Sequence, residues 1–306
     1  MGQIIDFSKN SKHKNDIKKD VDIINLLPKL KVFKGEILVF HIRSEIISDD
    51  NLLSTFVRDI AILKCVGVIP IIIPDLDIEI EKYYNETYNE KPFEKHYCVN
   101  TNNSTDILEV IYKHNGVSKI ASLMKELNIM PLMISGRDLN IIFPDNILRN
   151  VDSYFFQNKN ASQFLNEKEI KKYSVECLNE IIKTDIIPII IPTCNDKLGN
   201  DYIISSVYFA MYISSYIYAL KLISLYKDNL QIPTNCIYGV ERLMKIIKSG
   251  SFSEKTIKML NPIIECVKNN VQSASIIDLE NVSLIKELCA KNPNSLTIYD
   301  DTLQQI

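Results

Sequence analysis

Two small polar clusters follow two apolar runs, and chemistry in this sequence would concentrate there. The first is His41, Arg43 and Ser44, directly after Ile37 to Phe40. A histidine at that place can touch a bound phosphate or move a proton; a buried strand-end histidine bonded to backbone is the commoner arrangement. The second is Asp75 and Asp77, with Leu76 between them, after Val68 to Ile73. Two carboxylates so spaced can hold a divalent metal, or cap a helix such as Ile78 to Tyr84 can form. Capping is the expectation, and no metal is expected. Four cations, Arg43, Lys119, Arg137 and Lys258, can be imagined around one anion, although cations scattered this widely are more often solvated. A further polar turn is Ser135-Gly136-Arg137-Asp138.

The elements that must position the first two clusters are legible. Ile37 to Phe40 reads as a buried strand. Ser48 or Asp49 can cap a helix in which Leu52, Leu53, Phe56, Val57, Ile60 and Leu63 recur at helical spacing. Gly67 ends that helix, and Val68 to Ile73 is a second strand. Two apolar strands joined by an amphipathic helix make a parallel unit with a right-handed crossover. Ligands of such sheets bind beyond the carboxyl ends of the strands, which here carry the two clusters. The spacing therefore predicts Phe40-His41 and Ile73-Pro74 at one edge of one parallel sheet.

The rest of the chain repeats this logic. Val21 to Phe33 reads as a short amphipathic lead-in helix, preceded by a polar, lysine-rich tail over residues 1–20 that is expected to be disordered. Asp106 to Lys113 and Ser118 to Leu127 read as helices broken at Asn115-Gly116. Pro131 to Phe143 reads as two strands around the polar turn at Gly136. Lys168 to Lys183 reads as a helix and Ile186 to Ile191 as a strand. The run Val207 to Leu220 is the most apolar, but it falls short of the ~20 residues of a membrane span and reads as a buried helix. Val240 to Ile247, then about Ser253 to Asn269, read as helices, the second with Pro262 inside it. Leu296 to Tyr299 reads as the last strand.

Composition narrows the function. With a formal charge of −3 there is no electrostatic case for nucleic acid. The 7 cysteines are scattered without a CxxC pair, as in a reducing, cytoplasmic protein, and the 4 histidines do not join them at metal-ligand spacing. Glycine is scarce: average usage predicts roughly 21 in a chain of this length, and there are 8. A protein that wraps backbone around phosphate needs more.

The order of these segments resembles the amino-acid kinase family, and within it N-acetylglutamate kinase. That family reads roughly VIKYGG, then RDI and LLKLVG, then PVVVHGGGPQI; this chain reads VFHIRS, RDIAILKCVG and PIIIPDLDIEI. The resemblance covers about residues 21 to 300. It implies a three-layer α/β/α sandwich with a mostly parallel central sheet, an N-lobe of about 21–180 on the substrate side and a C-lobe of about 181–306 on the nucleotide side. The family's phosphate-binding Lys falls on His41, its paired Gly on Arg43 and Ser44, and its triple Gly on Asp75, Leu76 and Asp77. Its substrate-carboxylate Arg falls on Cys98, its organising Asp on Val207, and its second Lys on Met259, with Lys258 adjacent. Of its SGKDG segment, Gly136 and Asp138 are kept and Arg137 replaces Lys.

The family's activity is ATP-dependent phosphorylation of N-acetyl-L-glutamate in arginine biosynthesis. The substituted positions lead instead to the expectation of an impaired or inactive relative, a pseudoenzyme acting as a binding or subunit protein. Such a protein would be a homo-oligomer, or a hetero-oligomer with an active kinase subunit, with a small acidic molecule as a candidate ligand. No cofactor is expected; ATP and Mg belong only to the alternative, an altered kinase that still phosphorylates.

Overall fold

A computed structural model describes residues 25–89, 98–100, 105–139, 141, 174–195, 198–227, 235–290 and 293–301. The lysine-rich tail, residues 168–173 of the helix expected from Lys168, and residues 142 and 143 of the second strand expected before Phe143 lie outside these. A short helix over residues 25–30 runs into a 3-10 turn, Lys31–Phe33, and delivers the chain to β1, Ile37–Ile42. The short α1 (Ser44–Ile47) and the long α2 (Asp50–Cys65) then lead back to β2, Ile69–Pro74.

This first unit forms for the reasons read from the sequence. Asp49 caps α2 by accepting from the Asn51 and Leu52 amides at 3.0 and 3.1 Å. Leu53, Phe56, Val57, Ile60 and Leu63 face inward and are buried. Gly67 takes φ +92°, the left-handed backbone that suits glycine just past a helix end. β1 and β2 pair in parallel with His41 opposite Ile73 and Ile42 opposite Pro74. The expected parallel edge is therefore present.

After α3 (Asp77–Tyr88) come β3 (Cys98–Asn100), α4 (Thr105–Tyr112), α5 (Ser118–Glu126) and β4 (Pro131–Ser135). They are followed by α6 (Ser174–Ile182), β5 (Ile187–Ile191), β6 (Thr193–Asn195), β7 (Asp201–Ile204) and α7 (Ser206–Tyr216). The chain continues with β8 (Lys221–Tyr226), β9 (Cys236–Gly239), α8 (Val240–Lys248), α9 (Glu254–Lys268), β10 (Ser273–Asp278), α10 (Leu284–Leu288) and β11 (Leu296–Tyr299).

Eight strands form one sheet in the order β4-β5-β2-β1-β8-β10-β11-β9. Every neighbouring pair is parallel except β10 with β11. Strands β3, β7 and β6 form a small antiparallel sheet beside it. Alternate residues of β1 face opposite ways. Val39 joins one buried cluster with α7 and α9, and Leu38, Phe40 and Ile42 join the other with α1, α2 and α5. Two helical layers thus enclose the sheet, the expected α/β/α sandwich. Among the described residues no helix is long and apolar enough to cross a membrane.

One local expectation needs correcting. Asn115-Gly116 does not break the helix. A π-helical turn, Lys113–Val117, joins α4 to α5, and a Cβ on Gly116 would lie 3.3 Å from the Leu76 side chain. Glycine there answers packing rather than a chain break. After β4, residues 136–139 form the polar turn expected there.

Asp59, in the RDI segment of α2, shows how the helical layer is tied together. Its buried carboxylate accepts from the Leu284 and Ile285 amides, the otherwise unpaired first turn of α10. Burial pushes its pKa up to about 6, and those amides only partly offset it. A carboxyl raised in the fold stabilises it below the unfolded value near 4, and that contribution is lost as pH rises through 6. The charge therefore costs on the order of 3 kcal/mol at neutral pH. Asp59→Asn keeps an acceptor and discards the charge. Urea unfolding should show it roughly 1–2 kcal/mol more stable than wild type at pH 7.5 and nearly equal at pH 4. Equal destabilisation at both values would contradict this account.

Candidate functional site

The carboxyl ends of β1, β2 and β8 bring His41, Arg43, Asp75 and Ser224 to one place, and the N-terminus of α7 arrives above them. His41 and Ser224 are register partners on adjacent strands. The ring Nδ1 lies 2.9 Å from Ser224 Oγ, and Nε2 lies 3.0 Å from Ser206 Oγ at the start of α7. The expectation of a histidine bonded to backbone is thus corrected: two hydroxyls hold it, one accepting from the ring N–H and one donating to the bare nitrogen. Burial lowers its pKa to about 4, against a smaller upward pull from Asp75 at 3.9 Å, so the ring is neutral near pH 7.

Arg43 is not a solvated charge. Its Nε and Nη2 donate to the Glu45 carboxylate at 3.2 and 3.0 Å, and Nε lies 3.8 Å from Asp75. Burial works against its charge, and Asp75 and Glu45 more than offset that, so the guanidinium stays protonated. Met259 on α9 is buried, with its sulfur 4.0 Å from Arg43 Nη1. Of Lys258 and Cys98 only the backbone is described; Cys98 pairs with Ile204, two residues before α7. Ser44 is buried beside Arg43 at the start of α1, and Leu76 is buried between the two aspartates.

The two aspartates divide the helix-capping role between two helices. Asp75 Oδ1 accepts from the Asp77 amide at 2.8 Å, at the start of α3. Asp77 reaches across to α7, where its Oδ2 accepts from Ser205 Oγ at 2.7 Å and its Oδ1 from the Ser206 amide at 3.2 Å. Loss of solvent and the neighbouring Asp75 charge push the Asp77 pKa well above the usual carboxylate range, with Ser205, Ser206 and Arg43 pulling the other way. The first turn of a helix leaves amide donors unpaired, and here an acidic side chain of the chain itself occupies them. Among the described residues no group of acidic, histidine or cysteine side chains is arranged to hold a metal ion.

The remaining candidates lie apart from this centre. Val207 is one residue too far along α7 to join it and packs against the apolar core; Ser206 makes the contact instead. Lys119 meets Asp50, at 3.4 Å on the surface. Arg137 bridges Asp201 at 2.8 Å and Glu109 at 3.3 Å, which joins the β4 turn to the small sheet and α4. Asp138 closes its own turn, accepting from the Ser135 amide at 3.2 Å. Arg43, Lys119 and Arg137 therefore do not surround one anion. Sequence reasoning missed Glu45, Ser205, Ser206 and Ser224. Ser224 carried a readable signal, a polar residue inside the apolar strand LISL; the others carried none.

Comparison with known proteins agrees with this architecture. No protein-family model matches the chain. It is 26% identical over 260 residues to an acetylglutamate kinase of Campylobacter curvus, covering 84% of this chain and 88% of that protein. Identity to an acetylglutamate kinase of Caldanaerobacter subterraneus is 25% over 277 residues, or 88% and 89% of the two chains. Among solved structures, N-acetylglutamate synthase from Neisseria gonorrhoeae, complexed with coenzyme A and N-acetyl-glutamate, superposes with a TM-score of 0.69 at 15% identity. That match covers 91% of this chain, which spans only 63% of the synthase. Giardia carbamate kinase superposes with a TM-score of 0.58 at 9% identity, covering 87% of this chain and 99% of that one. The fold is that of the amino-acid kinases, and in sequence this chain is similar to the acetylglutamate kinases.

Proposed function

We propose that this chain is an acetylglutamate kinase-like protein that no longer transfers phosphate and serves as a binding or subunit protein, working beside an active kinase subunit. The observation that carries this reading is the Asp77 carboxylate seated on the Ser205 hydroxyl and the Ser206 amide. Phosphoryl transfer needs cations or amide donors free to face the phosphates. Here the helix donors face an internal carboxylate, the Arg43 charge is shared between Glu45 and Asp75, and His41 is neutral and held by two serines. The residues present do not fit ATP and Mg, because two carboxylates stand where the triphosphate would sit. The assignment of residues 21–180 to a substrate side and 181–306 to a nucleotide side, and a cytoplasmic setting, belong to the same proposal.

The reading predicts weak nucleotide binding. Isothermal calorimetry with ATP and Mg should detect no association tighter than about 1 mM, a standard free energy of roughly −4 kcal/mol. An affinity in the micromolar range would contradict it and favour the altered kinase.

A further inference from the structure

At the opposite end of β8 from Ser224, a second polar site lies in the fold. Lys221, the first residue of β8, lines a cavity of about 150 Å³ between the sheet and the segment around α10. The other polar walls are Ser275, Thr297, Ser295 and Glu287. Ser275 and Thr297 bond one another at 2.8 Å. Glu287 is 5% exposed and accepts from the Ser295 amide with Oε1 at 2.7 Å, which leaves Oε2 buried without a hydrogen-bond partner. Ser295 Oγ is likewise buried and unpartnered. Two orphaned polar atoms on one cavity wall are costly unless something else meets them.

We propose that this cavity takes a small carbonyl compound and holds it as a protonated imine on Lys221, with Glu287 as the counter-ion. A lysine desolvated inside a pocket is the setting in which its amine becomes a nucleophile toward carbonyl carbon. Burial lowers the Lys221 pKa to about 8, and the Glu287 charge only partly opposes this, so a substantial fraction is neutral amine just above neutral pH. The neutral nitrogen adds to the carbonyl carbon, and the oxygen takes up a proton to give a carbinolamine. The nitrogen lone pair then expels that oxygen, which takes one further proton from solvent and leaves as water. That proton leaves the product with one positive charge on nitrogen, opposite the Glu287 carboxylate in charge, and nothing is oxidised or reduced. Among the described residues, Lys221 and Glu287 are the titratable groups lining the cavity. A volume of this size suits a ligand of a few heavy atoms, well below the range of drug-sized sites. The inference does not depend on whether the centre at His41 is catalytic.

The test is reductive trapping on the intact wild-type chain. The protein is incubated at pH 8 with glyoxylate and cyanoborohydride, digested, and each lysine peptide is followed by mass spectrometry. Lys221 should gain a carboxymethyl group about tenfold faster than exposed lysines such as Lys31 and Lys34, and the difference should vanish in urea. In Glu287→Gln the Lys221 rate should fall several-fold, while the exposed lysines are unchanged. Labelling of Lys221 no faster than that of the exposed lysines would overturn the proposal. Fast labelling that Glu287→Gln leaves untouched would overturn the counter-ion role. Because the first comparison uses wild type alone, a variant that fails to fold does not blunt it.

Discussion

Replacing Gly136 by alanine should destabilise the fold by on the order of 3 kcal/mol or more, one of the largest effects of a single methyl group in this protein. A Cβ at this position would lie 2.0 Å from the Thr193 carbonyl oxygen and 2.8 Å from the Phe209 ring. The backbone cannot retreat easily, because the Gly136 amide donates to the Ile191 carbonyl at 3.0 Å and anchors the β4 turn on β5. Phe209 is itself fully buried in α7. Urea unfolding of Gly136→Ala against wild type measures the effect, and a loss below about 1 kcal/mol would show that the turn can shift. The result matters for function because Gly136 and Asp138 are among the residues kept from the family's SGKDG segment. Steric and turn-closing roles explain their retention without any contact to substrate.

The second large effect concerns catalysis. His41, Met259, the Arg43-Ser44 pair and the Asp75-Leu76-Asp77 run stand at positions where the family resemblance implies lysines and glycine loops. Losing one preorganised donor costs about 2.7–4 kcal/mol of transition-state stabilisation. The combined loss is on the order of 8–12 kcal/mol, or roughly a million-fold or more in rate, although such losses do not add simply. His41→Lys and Met259→Lys, made singly, should therefore yield no measurable kinase activity. In the first, the Asp77 carboxylate still occupies the α7 donors; in the second, the new ammonium meets Arg43, whose guanidinium already lies 4.0 Å from the sulfur. Activity from either single variant, measured as ADP release, would show that the carboxylates do not block the centre.

Much of the fold was readable because it depends on local apolar pattern. The β1–α2–β2 unit follows from Ile37 to Phe40, the inward face of α2, and Val68 to Ile73. The resemblance then carried the remaining strands into one sheet. Where sequence reasoning failed, tertiary contact decided the outcome. Gly116 looks like a helix breaker in isolation, but its neighbour in the fold is Leu76. Val207 falls on the family's organising Asp by motif counting, but Ser206 meets His41. Arg43 looks solvated until Glu45 and Asp75 are placed beside it. Uncharged serines such as Ser205 carry no pattern of their own, and their role exists only once α7 is docked over the ends of β1 and β2.

The measurement that tests the central claim most directly is ADP release by purified wild-type protein supplied with ATP, Mg and N-acetyl-L-glutamate. With the donors of α7 engaged by Asp77 and the Arg43 charge shared by Glu45 and Asp75, release should not exceed that of the mixture without protein. Substrate-dependent turnover near one per second, within the ordinary range for enzymes and abolished by His41→Ala, would contradict the account and make this centre a diverged active site.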